Sequence, residues 1–359
     1  MSFDRSCPFS PRSCRVALLG FGTVGSAVAR RLAAGDTPFR LTHIFDRRAG
    51  EKRHAAGLDR VTWTSQIEDV WRSDADIVVE AIGGVQPAAE WMRAALVAGK
   101  SVVTANKQAV ARHGGALLAL AERQGRQFRF EAAVGGAMPI VRTVADGLAG
   151  DRIVAIDAIL NGTTTAVFAQ VEATGCSLDT AIRSAQARGY AETDPRADLD
   201  GDDARAKLAI LCALAFGLRV DPSHIPAASC VTTTSADFAR ARRRGATIRQ
   251  LAHADYDRGS STLTAWVAPV EVPCASIFGR TAGPQNAALI TGEHAGPIGI
   301  FGAGAGGGAT AVAIVSDIAA IARDFAAIVP APSLTTDFIL RTADPDGLTS
   351  NFVPVEVAC

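Results

Sequence analysis

Apolar runs alternate with amphipathic segments between Arg15 and about Ile140. The amphipathic segments repeat their apolar residues at helical spacing: TVGSAVARRLAAG, QPAAEWMRAALVAG and ALLALAERQG. The runs between them are short and mostly apolar: RVALLG, LTHIFD, DIVVEAIGG, SVVTA and QFRFEAAVGG. Strands without a polar face that alternate with helices are typical of a parallel sheet covered on both sides. The sequence therefore predicts an α/β domain in this part of the chain.

The pattern changes after Ile140. Three strand-like segments, IVAIDAILNGTT, LTAWVAPVEVP and NAALITGEHAGPIGIFG, are interleaved with helices such as ARAKLAILCALAFG. This mixture predicts a second, α+β domain built on a mixed or antiparallel sheet. From Gly302 a glycine-rich turn leads into a long apolar helix, and residues 331–359 are rich in proline and threonine with little periodicity.

Composition narrows the class of protein without identifying it. The 359 residues are 48% hydrophobic, and the 20% that are charged balance to a net charge of zero. No field of one sign would attract nucleic acid or an anionic membrane, and the arginines of Arg240–Gly245 are expected on a solvated helix face. No apolar run reaches the roughly 18 residues of a membrane span. Seven cysteines without CxxC spacing argue against disulfides or zinc and favour the cytoplasm.

The positive charges are unevenly divided between lysine and arginine. Only four of the 36 basic residues are lysines: Lys52, Lys100, Lys107 and Lys207. Arginine serves wherever a surface charge suffices, whereas a lysine can release its proton or present a compact ammonium group. The lysine count directs attention to Lys107 and Lys207, which both lie in motifs described below.

A glycine motif follows the first predicted strand directly. LLGFGTVG places Gly20, Gly22 and Gly25 in GxGxxG spacing, with Thr23 and Val24 at the start of a helix. The first glycine permits a tight turn, the second lets the backbone approach a pyrophosphate, and the third lets helix and strand pack closely. Helix N-terminal amides favour bound phosphate. We therefore predict a Rossmann-type domain whose glycine turn binds a dinucleotide.

The ribose end of this site leaves the cofactor open. Asp46 ends the second strand and could accept hydrogen bonds from a 2′-hydroxyl, which favours NAD. Arg47 and Arg48 follow at once and could instead hold the 2′-phosphate of NADP. Further along, Gly83 and then Asn106 with Lys107 follow two neighbouring strands, at the edge where open parallel sheets bind ligands.

The most acidic stretch, GYAETDPRADLDGDDARAKLAI, surrounds the last lysine of the chain. Asp203 and Lys207 are four residues apart and so share one helix face, where an exposed pair would usually carry no function. The preceding loop adds Glu192, Asp194 and Asp198, more negative charge than a helix start needs, and Tyr190, one of only two tyrosines. Such a cluster suits a ligand with an ammonium group, and a lysine within it suits a reacting oxygen that exchanges a proton.

These motifs together resemble the homoserine dehydrogenase family of the threonine and methionine pathways. The resemblance covers about Cys14 to Arg323 and rests on segments in family order: GFGTVG, VVEAIGG, AGKSVVTANK, FEAAVGGAMPI, ILNGTTT, GYAETDPRADLDGDDARAKLAI and GAGAGGGATAVAIVSDI. It implies hydride transfer between a nicotinamide and C4 of L-homoserine, which interconverts this alcohol and L-aspartate 4-semialdehyde.

The resemblance also implies roles for individual residues. Lys207 would be the acid/base group at the reacting oxygen, Asp203 would orient it or a bridging water, and Lys107 would lie beside nicotinamide and substrate. The substrate contacts would come from Glu192 and Asp198 at the amino group, from Tyr190 in the pocket, and from Thr163 at the boundary between nicotinamide and substrate. The cofactor contacts outside the first glycine turn would come from Asp46, Arg47, Gly83, Asn106, Gly162 and Gly304.

Further expectations concern the ion, the assembly and the domain boundaries. By resemblance, a monovalent cation, Na⁺ or K⁺, would bind carbonyls near Glu131, Val134 and Gly136, and two copies would form a homodimer through the second-domain sheet. The boundaries implied are a tail over 1–13, a dinucleotide domain over 14–141, a substrate and dimerisation domain over 142–301, a segment returning to the first domain over 302–330, and a tail over 331–359. A regulatory domain would not fit in the last segment.

The chain departs from the family pattern at three positions. Thr165 replaces the asparagine of NGTTN, and Ala303 and Ala309 stand where prolines are common in the glycine-rich turn. Two alternatives stay open beside homoserine dehydrogenase activity. The first, which Thr165 and the unusual tail keep open, is a dehydrogenase of the same build that acts on another small amino alcohol or amino aldehyde. The second is a cofactor-binding regulator without catalysis, which the retention of Lys107 and Lys207 argues against.

Overall fold

The computed structural model describes residues 13–54, 57–327 and 329–341. The chain folds into two compact units. Unit 1 comprises the chain up to Ala133 together with Gly307–Pro332, and unit 2 comprises Val134–Gly306 and the chain from Ser333. The boundaries predicted after residues 141 and 301 stay predictions, and the predicted tails, 1–13 and 331–359, lie largely outside the described residues.

Unit 1 is built on a six-stranded sheet in which every neighbouring pair is parallel. Its strands are β1 (Cys14–Leu19), β2 (Phe39–Phe45), β3 (Thr62–Thr64), β4 (Ile77–Glu80), β5 (Ser101–Thr104) and β6 (Phe128–Arg129). Their order in the sheet is β3-β2-β1-β4-β5-β6. The order reverses direction between β1 and β4, and ligands bind at such a switch point beyond the carboxyl ends of the strands.

Helices connect these strands: α1 (Thr23–Ala33), α2 (Ala49–Lys52), α3 (Ile67–Arg72), α4 (Ala88–Val97) and α5 (Lys107–Arg123). Strands β4 and β5 are buried along their whole length, which explains why neither has an alternating polar face; their polar residues, Glu80, Ser101 and Thr104, are buried too. Helix α1 buries Val28, Ala29 and Leu32 in the same apolar cluster as Val16 and Leu18 of β1. The helix therefore holds the glycine turn before it firmly against the sheet.

Unit 2 contains a six-stranded mixed sheet. Its strands are β7 (Ile153–Ile159), β8 (Ala246–Asp257), β9 (Thr262–Pro273), β10 (Gln285–Gly292), β11 (Gly296–Ala303) and β12 (Ile339–Arg341). Their order is β11-β10-β7-β8-β9-β12, with all pairs antiparallel except β9 with β12. The predicted α/β class, with a parallel sheet and a second mixed sheet, is confirmed.

The helices of unit 2 are α6 (Ile140–Arg142), α7 (Gly162–Thr174), α8 (Leu178–Ala187), α9 (Arg196–Leu199), α10 (Asp202–Phe216), α11 (Ser235–Arg243) and α12 (Ile277–Arg280). Helix α10 lies between Gly201 and Gly217, both in the left-handed region with φ of 84° and 70°. Glycine is favoured in this conformation because it has no Cβ. These two glycines therefore fix the start and end of the helix that carries Asp203 and Lys207.

The last helix, α13 (Gly307–Arg323), belongs to unit 1 although it follows unit 2 in sequence. Its residues Ile314 and Ile318 share an apolar cluster with β1 and α1. Two further hydrogen bonds tie this segment to residues on either side of β6. The Asp317 carboxylate accepts from the amide of Glu131, and the side chain of Gln127 donates to the carbonyl of Asp324.

Several elements differ from their sequence predictions. Strands β3, β8 and β12 were not predicted, and the segment predicted as one strand-like unit, NAALITGEHAGPIGIFG, is the hairpin β10–β11. Helix α5 begins at Lys107, earlier than its apolar pattern indicated, because the side chain of Asn106 accepts a hydrogen bond from Ala109 and caps it. No helix in the described ranges has the length and apolar character needed to cross a bilayer.

Candidate active site

The glycine turn of unit 1 is shaped by close approaches that exclude a side chain at two positions. Gly20 has φ of 92°, and a Cβ built there would lie 2.8 Å from the carbonyl oxygen of Ala81. A Cβ on Gly25 would lie 2.1 Å from the carbonyl oxygen of Gly20. Both distances are shorter than any ordinary van der Waals contact, so the turn after β1 and the start of α1 require glycine.

The middle glycine has open space where the others have close neighbours. Nothing lies within 4 Å of a Cβ built on Gly22, which is the N-cap of α1 and offers no side chain to its first amides. Thr23 and Val24 are the first two residues of this helix. Free N-terminal amides beside an open backbone form the usual cradle for a pyrophosphate. The turn therefore fits the dinucleotide that the sequence predicted.

Asp46 lies just beyond β2 and is held by three donors. The amides of Phe21 and Arg48 donate to its carboxylate at 3.0 and 2.9 Å, and Lys52 Nζ donates at 2.6 Å. Burial raises the pKa of Asp46, but the hydrogen bonds from Lys52 and the two amides outweigh this effect and the net shift is downward. The carboxylate is thus ionised at neutral pH and has lone pairs left for a ribose hydroxyl.

Lys52 was not singled out for this site from the sequence, because its ion pair with Asp46 depends on the short helix α2. Its ammonium also donates to the carbonyl of Phe21 at 3.1 Å, which ties α2 to the glycine turn. Arg47 and Arg48 have exposed side chains at the same loop. The loop therefore combines a carboxylate suited to a ribose hydroxyl with cations suited to a phosphate.

A second buried carboxylate, not predicted, organises the loop after β4. Glu80 is fully buried and accepts hydrogen bonds from the amides of Ile82 and Gly83 at 2.8 and 3.1 Å and from the hydroxyl of Thr104 at 2.5 Å. Asn106 donates to the carbonyl of Gly84 at 2.6 Å. Gly83 and Asn106 therefore belong to one connected network at the sheet edge. Lys107, the first residue of α5, is half-buried next to this network.

In unit 2, Asp203 and Lys207 form a buried ion pair rather than an exposed one. Lys207 Nζ lies 2.7 Å from Asp203 Oδ2, and the side chains of Lys207 and Asp203 are only 12% and 5% exposed. The same ammonium donates to the carbonyl oxygen of Leu160 at 2.7 Å. Burying two charges is costly unless partners fix them, so the geometry differs sharply from that of a surface pair. Leu160, at the end of β7, was not predicted from the sequence.

The residue after Leu160 extends the network to Asp198. Asn161 Nδ2 donates to Asp203 Oδ2 at 2.8 Å and to Asp198 Oδ1 at 2.6 Å. Its Oδ1 accepts from the amide of Thr164 and so caps α7. Asn161 was not predicted either, although an asparagine just before a helix start is a recognisable cap. Asp198, Asp203 and Lys207 thus belong to one hydrogen-bonded cluster.

Of the other predicted substrate residues, Thr163 is buried, whereas Tyr190 and Glu192 are exposed. The hydroxyl of Thr163 donates to the carbonyl of Tyr190 at 2.8 Å, and Tyr190 is 38% exposed, with its ring beneath the guanidinium of Arg188. Glu192 is exposed, and Gln186 Nε2 donates to its main-chain carbonyl. The geometry brings Asp198, Asp203 and Lys207 together, whereas Glu192 and Tyr190 lie in the loop that precedes them.

Asp194 contributes less negative charge than the sequence indicated. Arg196 is ion-paired with it, and the guanidinium Nε lies 2.8 Å from Asp194 Oδ1. This side-chain hydrogen bond, with the amide of Arg196, lowers the pKa of Asp194 to about 2. Because Arg196 neutralises it on the surface, Asp194 is not part of the buried cluster.

Gly162 and Gly304 both lie where side chains of unit 2 approach the backbone closely. A Cβ on Gly162 would lie 3.0 Å from Cβ of Ala305, and one on Gly304 would lie 2.2 Å from the side chain of Asn286. Thr165 donates its hydroxyl to the carbonyl of Asn161 at 2.8 Å, so this departure from the family pattern is used within α7. The cofactor roles of both glycines stay predictions.

The predicted cation site also stays a prediction. Glu131 is buried within unit 1, and Val134 is buried within unit 2. Within unit 2, a Cβ on Gly136 would lie 2.6 Å from the carbonyl oxygen of Gly304. Among the described residues, no group of three or more His, Cys, Asp or Glu side chains could hold a metal ion.

Unit 1, with its strand order, glycine turn and acid after β2, defines a nucleotide-dependent enzyme of the Rossmann class. Two family profiles match the chain: "Homoserine dehydrogenase, NAD binding domain" over residues 20–131 and "Homoserine dehydrogenase" over residues 139–319. The chain belongs to the homoserine dehydrogenase family and is an oxidoreductase. The family resemblance drawn from the sequence motifs is confirmed.

Named relatives and solved structures agree with this assignment. The homoserine dehydrogenase of Mycobacterium tuberculosis is 38% identical over 88% of this chain and 74% of its own length. That of Corynebacterium glutamicum is 36% identical over 94% of this chain and 78% of its own. The Thiobacillus denitrificans enzyme structure superposes with a TM-score of 0.82 at 33% identity, over 92% of this chain and 79% of that one. A hyperthermophilic archaeal homoserine dehydrogenase mutant in complex with NADPH superposes with a TM-score of 0.70 at 28% identity, over 85% and 96%.

Proposed function

We propose that this protein interconverts L-homoserine and L-aspartate 4-semialdehyde, with NAD or NADP as the hydride carrier. The buried Lys207–Asp203 pair carries the proposal, because it places a compact proton donor in an acidic cluster. The names of the relatives support the substrate, and the dinucleotide turn of unit 1 supports the carrier. When bound, the nicotinamide accepts hydride from C4 of the alcohol or returns it to the aldehyde.

Lys207 exchanges the proton of the reacting oxygen. As the alcohol is oxidised, its hydroxyl proton must leave, and in the reverse direction the growing alkoxide must gain one. Asp203 and the carbonyl of Leu160 hold the ammonium from two sides, so Nζ is confined to a narrow range of positions. Fixing a donor in this way reduces the reorganisation needed at the moment of transfer.

The remaining residues bind substrate or cofactor in this proposal. Glu192 and Asp198 neutralise the substrate ammonium, while Thr163 and Tyr190 line its pocket. Lys107 assists binding or proton transfer from the start of α5. The free amides of α1 hold the pyrophosphate. Which cofactor is preferred depends on whether Asp46 or the arginines beside it dominate the ribose site.

The decisive experiment measures homoserine-dependent reduction of NAD and NADP separately. We expect turnover by the unaltered protein and a loss of roughly 10²–10⁴-fold in kcat for Lys207→Ala, the usual share of a positioned proton donor. Binding of the reduced dinucleotide, followed by its fluorescence, is the control and should be unchanged. Turnover that survives in Lys207→Ala would refute the role of this lysine, and no homoserine turnover in the unaltered protein would refute the substrate.

We also propose that the protein works as a homodimer in the cytoplasm. The sheet of unit 2 has β11 at one edge, and Phe301 on that strand is 70% exposed. An exposed aromatic ring on an edge strand favours covering by another chain. Sedimentation equilibrium should give twice the 37.2 kDa of one chain. A mass of one chain would refute the dimer, and cell fractionation tests the location.

A further inference from the structure

Asn161 occupies a central position in the cluster of unit 2. It follows Leu160, whose carbonyl holds Lys207, and it precedes Gly162 at the start of α7. Asn161 is buried, with only 3% of its surface exposed. Because both of its neighbours are tied to the site or the helix, the amide group of Asn161 has little freedom to turn.

Three hydrogen bonds fix this side-chain amide. One proton of Nδ2 is directed to Asp198 Oδ1 and the other to Asp203 Oδ2, while Oδ1 accepts from the amide of Thr164. The reversed orientation would point Oδ1 at two carboxylates and Nδ2 at an N–H group. The network therefore allows one orientation only.

We infer that Asn161 is the positioning residue that holds the carboxylates of Asp198 and Asp203 in fixed positions relative to the Lys207 ammonium. Two carboxylates close to one another repel, and the Lys207 ammonium forms its ion pair with Asp203. The Nδ2 group supplies a donor between the carboxylates without adding a charge. This inference rests on the proposed roles of Asp198, at the substrate ammonium, and of Asp203, at the lysine.

The amide of Asn161 also couples the two ends of the cluster during the reaction. Asp203 Oδ2 accepts from both Lys207 Nζ and Asn161 Nδ2, so movement at the substrate-binding carboxylate is transmitted to the proton donor through one amide group. Binding of the substrate ammonium at Asp198 would then tighten the geometry at Lys207. A residue that only capped α7 would have no such effect.

Two substitutions separate the bridge from the cap. Asn161→Asp keeps an oxygen for the Thr164 amide but places a third carboxylate against the other two. Asn161→Ser also keeps a capping oxygen, but it removes both amide donors without adding charge. We expect kcat/KM with homoserine to fall about 10- to 100-fold in both variants, the factor that hydrogen bonds to charged groups usually carry.

The pH profile distinguishes the two variants. In Asn161→Asp, like-charge repulsion favours proton uptake by the cluster, so the acidic limb of kcat/KM should move up by about one pH unit or more. Asn161→Ser should keep the limb of the unaltered protein. Ser177→Asp, which adds one carboxylate at the exposed cap of α8, is the matched control and should change neither quantity.

The outcomes are distinct. If the unaltered protein turns over homoserine and Asn161→Asp matches it in rate and pH profile, the inference is wrong. If both variants lose activity equally at every pH, in proportion to a loss of folded protein measured by thermal unfolding, Asn161 is structural only and the inference is again wrong. Failure of the unaltered protein with homoserine would count against the proposed function instead.

Discussion

Asp202 and Asp203 are adjacent in sequence but have opposite environments. The Asp202 side chain is 54% exposed and ion-paired with Arg205 on the surface of α10, whereas the Asp203 side chain is 5% exposed and contacts Lys207 and Asn161. The helix turns the two side chains about 100° apart, which is enough to place one in water and the other in the cluster.

This contrast predicts different effects for two identical substitutions. Asp203→Asn should lower kcat about 10- to 100-fold, because an amide cannot replace a carboxylate that fixes a buried ammonium. Asp202→Asn should change kcat less than about twofold, since surface pairs contribute little. Steady-state kinetics on both variants, with circular dichroism to verify folding, checks this. Equal losses would show that the helix start, rather than the buried carboxylate, matters.

Periodicity identifies residues that share a helix but not those that meet across the fold. Asp203 and Lys207 are four apart, and helical spacing alone predicts that they face the same way. Leu160 and Asn161 are far from them in sequence, and only the packing of β7 against α10 brings them to the pair. The role of Glu80 could not be predicted for the same reason, because its partner Thr104 lies on another strand.

At the scale of elements, the glycines between β1 and α1 differ in what they contribute: one is required for packing, and another leaves room for a ligand. The carbonyl of Gly20 leaves no room for a side chain at position 25. At Gly22, where φ is −92°, a Cβ would meet open space. Gly25 thus serves the packing of helix on strand, whereas the open space at Gly22 suits the proposed pyrophosphate. The GxGxxG spacing predicted both roles; the distances account for the packing role of Gly25, and the binding role of Gly22 stays a prediction.

We therefore expect different phenotypes from two glycine substitutions. Gly25→Ala should destabilise the protein by about 1–3 kcal/mol through overpacking and weaken dinucleotide binding as well. Gly22→Ala should leave stability within about 0.5 kcal/mol but raise the Kd for reduced dinucleotide at least about tenfold. Urea unfolding and fluorescence titration measure the two quantities. Unchanged binding in Gly22→Ala would contradict the assigned pyrophosphate site.

Element types were easier to predict than their arrangement. The apolar runs predicted β1, β4 and β5, and the segment ARAKLAILCALAFG predicted most of α10. The order of the strands depends on which runs pair in space, and periodicity holds no information about this. Strand β3 has three residues, too few for a periodic pattern to be recognised.

At the scale of the whole molecule, the stability of the sheet of unit 2 depends on the protonation of His253. It lies between Asp157 on β7, at 2.7 Å, and Asp255, at 3.0 Å, and it stacks on Trp266 of β9. Burial lowers the pKa of His253, but hydrogen bonds and attraction from the two carboxylates outweigh this and raise it to about 9. The imidazolium therefore holds two neighbouring strands together at neutral pH.

This shift predicts a loss of stability in alkaline solution. The pKa of His253 in the folded protein, about 9, lies above the ordinary value of about 6.5. Its contribution to the free energy of unfolding is therefore complete below about pH 6.5 and is lost as the pH rises through 9. The contribution of His253 to the free energy of unfolding is on the order of 3 kcal/mol. Urea midpoints at pH 6 and pH 9.5 should differ in the unaltered protein, and the difference should shrink in His253→Gln. An equal difference in both would rule out His253 as the cause.

The late position of α13 also has a consequence for synthesis. The ribosome must produce nearly all of unit 2 before the residues that complete the apolar cluster around Val16, Leu18 and Val28 emerge. Until then the nascent chain carries these side chains without their C-terminal neighbours Ile314 and Ile318. Unit 2 can therefore fold early during translation. Unit 1 lacks its last helix until later, and until then its apolar cluster is exposed to chaperones.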